Sequence, residues 1–263
     1  MLFVQWAGDF HFSEMMTQNR LPDFNALLRP NAPYLVVTGD NFYTPSVFVE
    51  PFLEYCARNW EKVFIVMGNQ EYEIPHEFGR ISVPQYGAIL DEIVSMEEHE
   101  NIMKTTMEHI NTRIGDEVLI WLTNTHYDIP DTNIRMAGVC LWADDYKPAL
   151  FVNGVLAGKR ERKSLQEAEH TFLKRTISKC KEDGKTLVIA SHFMPSNRIP
   201  ASLYGQYKSM SPEVYPFAGF CVPKEEMFTF PLLAWICGHV HHEMTFKIAG
   251  MPLYVNYTNT IVI

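Results

Sequence analysis

Apolar and polar positions along this chain alternate between two rhythms. Leu2–Ala7, Tyr34–Thr38 and Val63–Met67 are almost continuously apolar and too short for helices, so each reads as a buried strand. Between them, Glu14–Leu28 and Ser46–Trp60 have the mixed pattern of amphipathic helices. Strand, helix, strand, helix, strand with short connections predicts βαβ units and a partly parallel sheet, hence an α/β fold. From Ile74 to Arg113 the pattern changes: after Pro75 and Pro84 it becomes long, charged and helical over Ile89–Ile110, which reads as solvated amphipathic helices packed on the core. Further strands are predicted at Val118–Leu122, Met136–Trp142 and Thr186–Ala190, with a helix at Glu161–Lys181. A loop rich in Pro, Tyr and Ser runs from Met194 to Pro231. Strands then dominate, at Leu233–Cys237, Thr245–Ile248, Leu253–Asn256 and Thr260–Ile263. With no repeat and no linker, one domain over 1–263 is the expectation.

Composition narrows the function classes. Apolar residues make up 47% and aromatics 13%, which supports a packed core and excludes a disordered chain. No run reaches the ~18 apolar residues of a membrane span. The first residues read as a strand, without the basic and apolar regions of a signal peptide, so a cytoplasmic protein is expected. The formal charge of −9 argues against non-specific nucleic-acid binding. It leaves an anionic substrate open, because acidic side chains can hold cations that face it. Cys56, Cys140, Cys180, Cys221 and Cys237 are scattered and odd in number, as reduced thiols rather than a disulfide framework.

The candidate chemistry sits at the ends of the apolar runs. Gly8-Asp9-Phe10-His11, Gly39-Asp40-Asn41, Gly68-Asn69, Ser191-His192 and Gly238-His239-Val240-His241 each follow a predicted strand. In open α/β sheets ligands bind beyond the carboxyl ends of the strands. Taken singly, these blocks are ordinary: Gly-Asp after a strand is commonly a turn or a helix cap, and Asp-x-His a hydrogen-bonded loop pair. Taken together, two Asp, one Asn and four His without a thiolate suit two borderline divalent cations, of Mn, Fe, Zn, Co or Ni type. In extended backbone the one-residue spacers of Asp9-x-His11 and His239-x-His241 turn both side chains the same way.

These blocks, in this order, resemble the calcineurin-like metallophosphoesterase superfamily. Glu71-Tyr72, Gly138-Val139-Cys140-Leu141-Trp142 and His192-Phe193-Met194-Pro195-Ser196 are similar to one branch of small bacterial-type phosphoesterases. The likeness covers nearly the whole chain, apart from Ile74–Arg113. It implies a two-sheet β-sandwich flanked by helices. It also implies Asp9, His11 and His241 at one metal, Asn69, His192 and His239 at a second, and Asp40 between them. The implied cofactors are two divalent ions, manganese foremost, with a hydroxide between them as nucleophile and a small phosphoester, a phosphodiester by preference, as substrate. Asp40, Asn69 and Gln70 form the implied catalytic set.

One position departs from the family pattern. Gly-Asn-His-Glu or Gly-Asn-His-Asp is usual, and here the third residue is Gln70. An amide donates a hydrogen bond to a phosphoryl oxygen but delivers no proton near neutral pH. Turnover of esters with poor leaving groups should therefore be weakened, and a binding or scaffold member of the same fold is the alternative reading. His242 and His126 are candidate replacement acids, each equally readable as a plain loop histidine. In the Met194–Pro231 loop, Tyr204, Tyr207 and Phe217, with Tyr215 and Phe220, are expected either at a substrate rim or covering a small second core.

Overall fold

Runs of Val, Ile, Leu and Phe without a polar face form strands here because both of their faces find apolar cover. The computed structural model describes residues 2–12, 21–73, 95–143, 151–152, 155–156, 159–196, 224–241, 243–255 and 258–262. One sheet contains β1 (Phe3–Ala7), β2 (Tyr34–Val37), β3 (Lys62–Ile65), β4 (Leu119–Trp121) and β13 (Thr258–Val262), in the order β13-β1-β2-β3-β4. Strands β1 to β4 are parallel, and β13 closes the β1 edge antiparallel. The second sheet has the order β11-β12-β10-β9-β6-β5. Its strands are β5 (Thr125–Asp128), β6 (Ile134–Val139), β9 (Thr186–Ser191), β10 (Leu232–Cys237), β11 (Met244–Ile248) and β12 (Met251–Val255). Here β6, β9, β10 and β12 are parallel, with antiparallel strands at both edges.

Alternation along the strands divides the core in two. Val4, Trp6, Val36, Phe64 and Val66 of the first sheet meet Met136, Val188, Ala190, Ala234 and Ile236 of the second. Their neighbours in sequence, Leu35, Val37, Val63 and Ile65 on one side and Leu187, Ile189, Trp235 and Cys237 on the other, belong to the core that the helices cover. The result is an α/β protein with two sheets flanked by helices.

The helices α1 (Phe24–Leu27), α2 (Val49–Asn59), α3 (Met96–Ile114) and α4 (Lys159–Asp183) follow the expected apolar spacing, with shifted ends. Helix α2 buries Val49, Phe52, Leu53, Cys56 and Ala57, one face at i, i+3, i+4, i+7 and i+8. Helix α3 starts at a capping box between Ser95 and Glu98 and stops at Gly115, whose φ of 83° the missing Cβ allows. Of the helix expected over 14–28, Phe24–Leu27 is helical behind the Asp23 cap, and residues 13–20 lie outside the described residues. So do 74–94 and most of the 194–231 loop. The short pair β7 (Phe151–Val152) and β8 (Val155–Leu156) and the strand β5 were not expected. Thr125-His126-Tyr127-Asp128 has no apolar alternation, because this edge strand leaves three of its four residues exposed.

Strand β5 is pinned to β6 by charge instead. Arg135, buried, donates Nε to Asp128 Oδ1 at 2.6 Å and Nη2 to Oδ2 at 3.0 Å, and Lys185 Nζ lies 2.8 Å from the same carboxylate. The Arg135 guanidinium, and beside it Lys185, hold Asp128 well below the usual carboxylate range. A depressed carboxyl adds stability above its unfolded pKa, near 4, and loses it as pH falls through the folded value. Asp128→Asn should therefore cost about 1–2 kcal/mol at pH 7, allowing for solvent screening at this partly exposed group. The cost should shrink toward pH 2, as read by urea unfolding at both pH values. An equal cost at both would show that the pair's charge contributes nothing.

Candidate functional site

Each candidate ligand stands just past a parallel strand. Asp9 and His11 follow β1, Asp40 follows β2, Asn69 follows β3, His192 follows β9, and His239 and His241 follow β10. Because β1–β3 are parallel in one sheet and β9–β10 in the other, these ends meet where the two sheets converge. The turn out of β1 alternates cleanly. Phe10 and Phe12 are buried and stacked, rings 5.3 Å apart, against Phe52, while Asp9 and His11 turn to the site.

Two clusters result. Ligand-type atoms of Asp9, His11 and His241 lie within 4.8 Å of one another, as do those of Asp40, His192 and His239. Asn69 joins the second cluster, with Oδ1 2.9 Å from His192 Nε2 while its Nδ2 donates to Glu73. His11 Nε2 and His241 Nε2 are 3.0 Å apart, and His192 Nε2 and His239 Nδ1 are 2.9 Å apart. The first cluster opens to solvent, with His241 exposed. The second is deeper, with His192 fully buried.

The backbone is distorted to achieve this. Asp9, His11, Asp40, His239 and His241 all have φ between 46° and 67°, a region that non-glycine residues rarely enter. Such conformations cost on the order of 1–3 kcal/mol each and gather at functional sites. Close approach is equally demanding. A Cβ on Gly68 would sit 2.3 Å from Asp40 Oδ1 and 2.7 Å from His192 Nδ1. One on Gly238 would sit 2.5 Å from Asp9 Oδ2.

Electrostatics couple the groups. Burial, reinforced by Asp40 and Glu71, pushes Asp9 up to about 8, although both its oxygens accept from the His239 N–H. Burial also opposes charge on Asp40, but His192, His239 and the Gln70 N–H outweigh it and bring it down to about 2. His192 is held at about 9 against its own burial by Asp40, Asp9 and Glu71. Burial and the neighbouring His192 keep His239 well below the ordinary imidazole range.

These details fit a pair of cations. Imidazole nitrogens facing each other at about 3 Å, ringed by buried carboxylates, form a donor set that one proton serves poorly and a divalent ion serves well. His192 Nδ1 lies 2.8 Å from the Thr38 carbonyl, which only accepts, so the ring proton belongs on Nδ1 and Nε2 is turned to the cluster. That is the tautomer a ligand needs.

Glu71, which the sequence offers only as part of the resemblance and without a role, organises the site. Its Oε2 accepts from the Asp40 and Gly68 N–H groups and its Oε1 from Asn41 N–H, each at 2.8 Å. The available signal is the acid at the fourth place of the Gly68–Glu71 block, where the family pattern also carries Glu or Asp. Gln70 is also buried, its Nε2 2.9 Å from His11 Nδ1, so the amide faces a candidate ligand rather than open solvent. The exposed His126, on β5, lines a groove of about 570 Å³ with Arg135, Lys174 and Lys179 and none of the ligand set. Tyr204, Tyr207, Tyr215, Phe217, Phe220 and His242 lie outside the described residues.

Among the described residues no helix is long and apolar enough to cross a membrane. Searching curated proteins returned no match. Among solved structures, the phosphopantetheinyl hydrolase of Mycobacterium tuberculosis superposes with a TM-score of 0.63 at 14% identity, over 96% of this chain and 87% of that one. A putative 5'-nucleotidase from Staphylococcus aureus gives 0.52 at 12% identity, over 97% of this chain but 48% of its own. At such identities the likeness speaks for the fold. Residues 6–243 match the family model for calcineurin-like phosphoesterases, a family of metal-dependent, dinuclear phosphoester hydrolases. By that match over most of its length, the chain belongs to the calcineurin-like phosphoesterase family.

Proposed function

We propose that the chain hydrolyses a phosphodiester at two divalent cations. Asp9, His11 and His241 would hold one, Asn69, His192 and His239 the other, and Asp40 would stand between them. The observation that supports this most directly is His192, whose Nδ1 faces the Thr38 carbonyl and whose Nε2 meets Asn69 Oδ1 and Asp40 Oδ2 at 2.9 and 3.3 Å. Cations bound there supply Lewis-acid polarisation of the phosphoryl group and an acidified water. Oxygen and imidazole donors without thiolate accept manganese, the ion the resemblance implies foremost, as they accept Fe, Zn, Co or Ni.

The chain's own residues set direction and access. The substrate would enter on the His241 side, since that cluster is the more exposed. The Gly68–Glu71 block offers no imidazole to a leaving group, and the Gln70 amide is turned inward onto His11. Diesters with acidic leaving groups suit such a site. The four buried cysteines outside any disulfide among the described residues accord with a reducing, cytoplasmic setting.

The test is manganese-stimulated hydrolysis of bis(p-nitrophenyl) phosphate, with a chelator control. Activity that the chelator removes supports the proposal. Two bound ions with no turnover would favour the scaffold reading, which Gln70 recommends. In Gln70→His, kcat/KM for an alkyl diester should rise by up to about 10²–10⁴-fold, and for the aryl diester far less. Equal changes for both substrates would refute the leaving-group argument.

A further inference from the structure

We infer that Gln70 is a positioning residue for His11, able to serve both of its ring tautomers; this rests on the two-cation reading above. Gln70 Nε2 lies 2.9 Å from His11 Nδ1, and His11 Nε2 lies 3.0 Å from His241 Nε2. An amide N–H pointing at Nδ1 requires the single proton of a neutral imidazole to sit on Nε2, between the two histidines. A cation at Nε2 needs the opposite tautomer, with the proton on Nδ1 and an acceptor facing it.

A primary amide is the side chain that meets both demands, because a half-turn exchanges its N–H for its carbonyl oxygen. That terminal torsion is broad and two-fold. Gln70 Oε1 is buried and has no hydrogen-bond partner among the described residues, so the turn breaks no bond there on the carbonyl side. The residue is held in place meanwhile by its backbone N–H, which donates to Asp40 Oδ1 at 2.7 Å. Thr38 gives His192 the same support through a carbonyl that cannot change role. Gln70 thus does for the first cation what the Thr38 carbonyl does for the second, with a switch in place of a fixed acceptor. In this role the residue acts through His11 and need not touch the phosphoester.

The experiment is a manganese titration by calorimetry without any phosphoester, on the parent chain, Gln70→Met and Gln70→Glu. Methionine keeps the volume but removes the acceptor. It should weaken one of two ions by about 10–100-fold and leave the other unchanged. Glutamate always presents an acceptor and should restore or tighten that ion. Nitrogen-resolved imidazole spectra of the zinc-loaded parent, which need no variant to fold, should place the His11 proton on Nδ1. Parent-like binding in Gln70→Met, or an Nε2 proton on loaded His11, would overturn the inference. A parent that binds no ions would instead overturn the two-cation reading along with it.

Discussion

Asp40→Ala should lower kcat/KM for bis(p-nitrophenyl) phosphate by about 10³-fold or more at saturating manganese, the scale on which preorganised electrostatic stabilisation is lost. The carboxylate is almost fully buried, lies 3.3 Å from His192 Nε2 through one oxygen and accepts the Gln70 N–H through the other. Removing it takes away a cluster member and also the anchor of the turn that carries Asn69. Metal stoichiometry should drop below two in parallel. Asp40→Asn separates these roles, since an amide oxygen still accepts from Gln70 but carries no charge. It should keep the fold and lose most of the turnover. Two tightly bound ions and near-parent activity in Asp40→Ala would remove Asp40 from the proposed centre.

Glu71 should prove nearly as costly, for a different reason. Its carboxylate collects three buried backbone N–H groups from two separate strand ends. In Glu71→Ala all three lose their acceptor, at about 1–3 kcal/mol each, a sum comparable with the whole stability of an ordinary domain. Glu71→Gln keeps the shape and one oxygen but turns an NH₂ toward a donor, so about 1–3 kcal/mol is expected. Chemical denaturation measures both. Glu71→Ala within 1 kcal/mol of the parent, as an order-of-magnitude bound, would mean that water replaces the carboxylate there.

The ligand candidates were legible because each is a polar exception ending an apolar run. That boundary is set by the strand's burial and survives in the bare sequence. Strand β5 was not legible, since its residues are held by the Arg135–Asp128 pair and not by alternation. Nor was Glu71's role, which depends on where three N–H groups point. For Gln70 the resemblance implies a phosphoryl contact, whereas its orientation toward His11 depends on side-chain placement that no sequence pattern carries. The left-handed backbone of five site residues was equally hidden: Asp and His carry no mark of φ, unlike glycine.

His11 meets His241 across a separation of 230 residues. During synthesis the strands β1–β3, with Asp9, Asp40 and Glu71, leave the ribosome long before His192, His239 or His241 exist. Until then these acids lack the imidazoles of His192, His239 and His241, and burying them together without those neighbours is unfavourable. On the proposed ligand set, metal capture would therefore be a late event, coupled to arrival of the turn after β10. A nascent chain stopped before residue 239 should carry no tightly held ion, however well β1–β4 have paired.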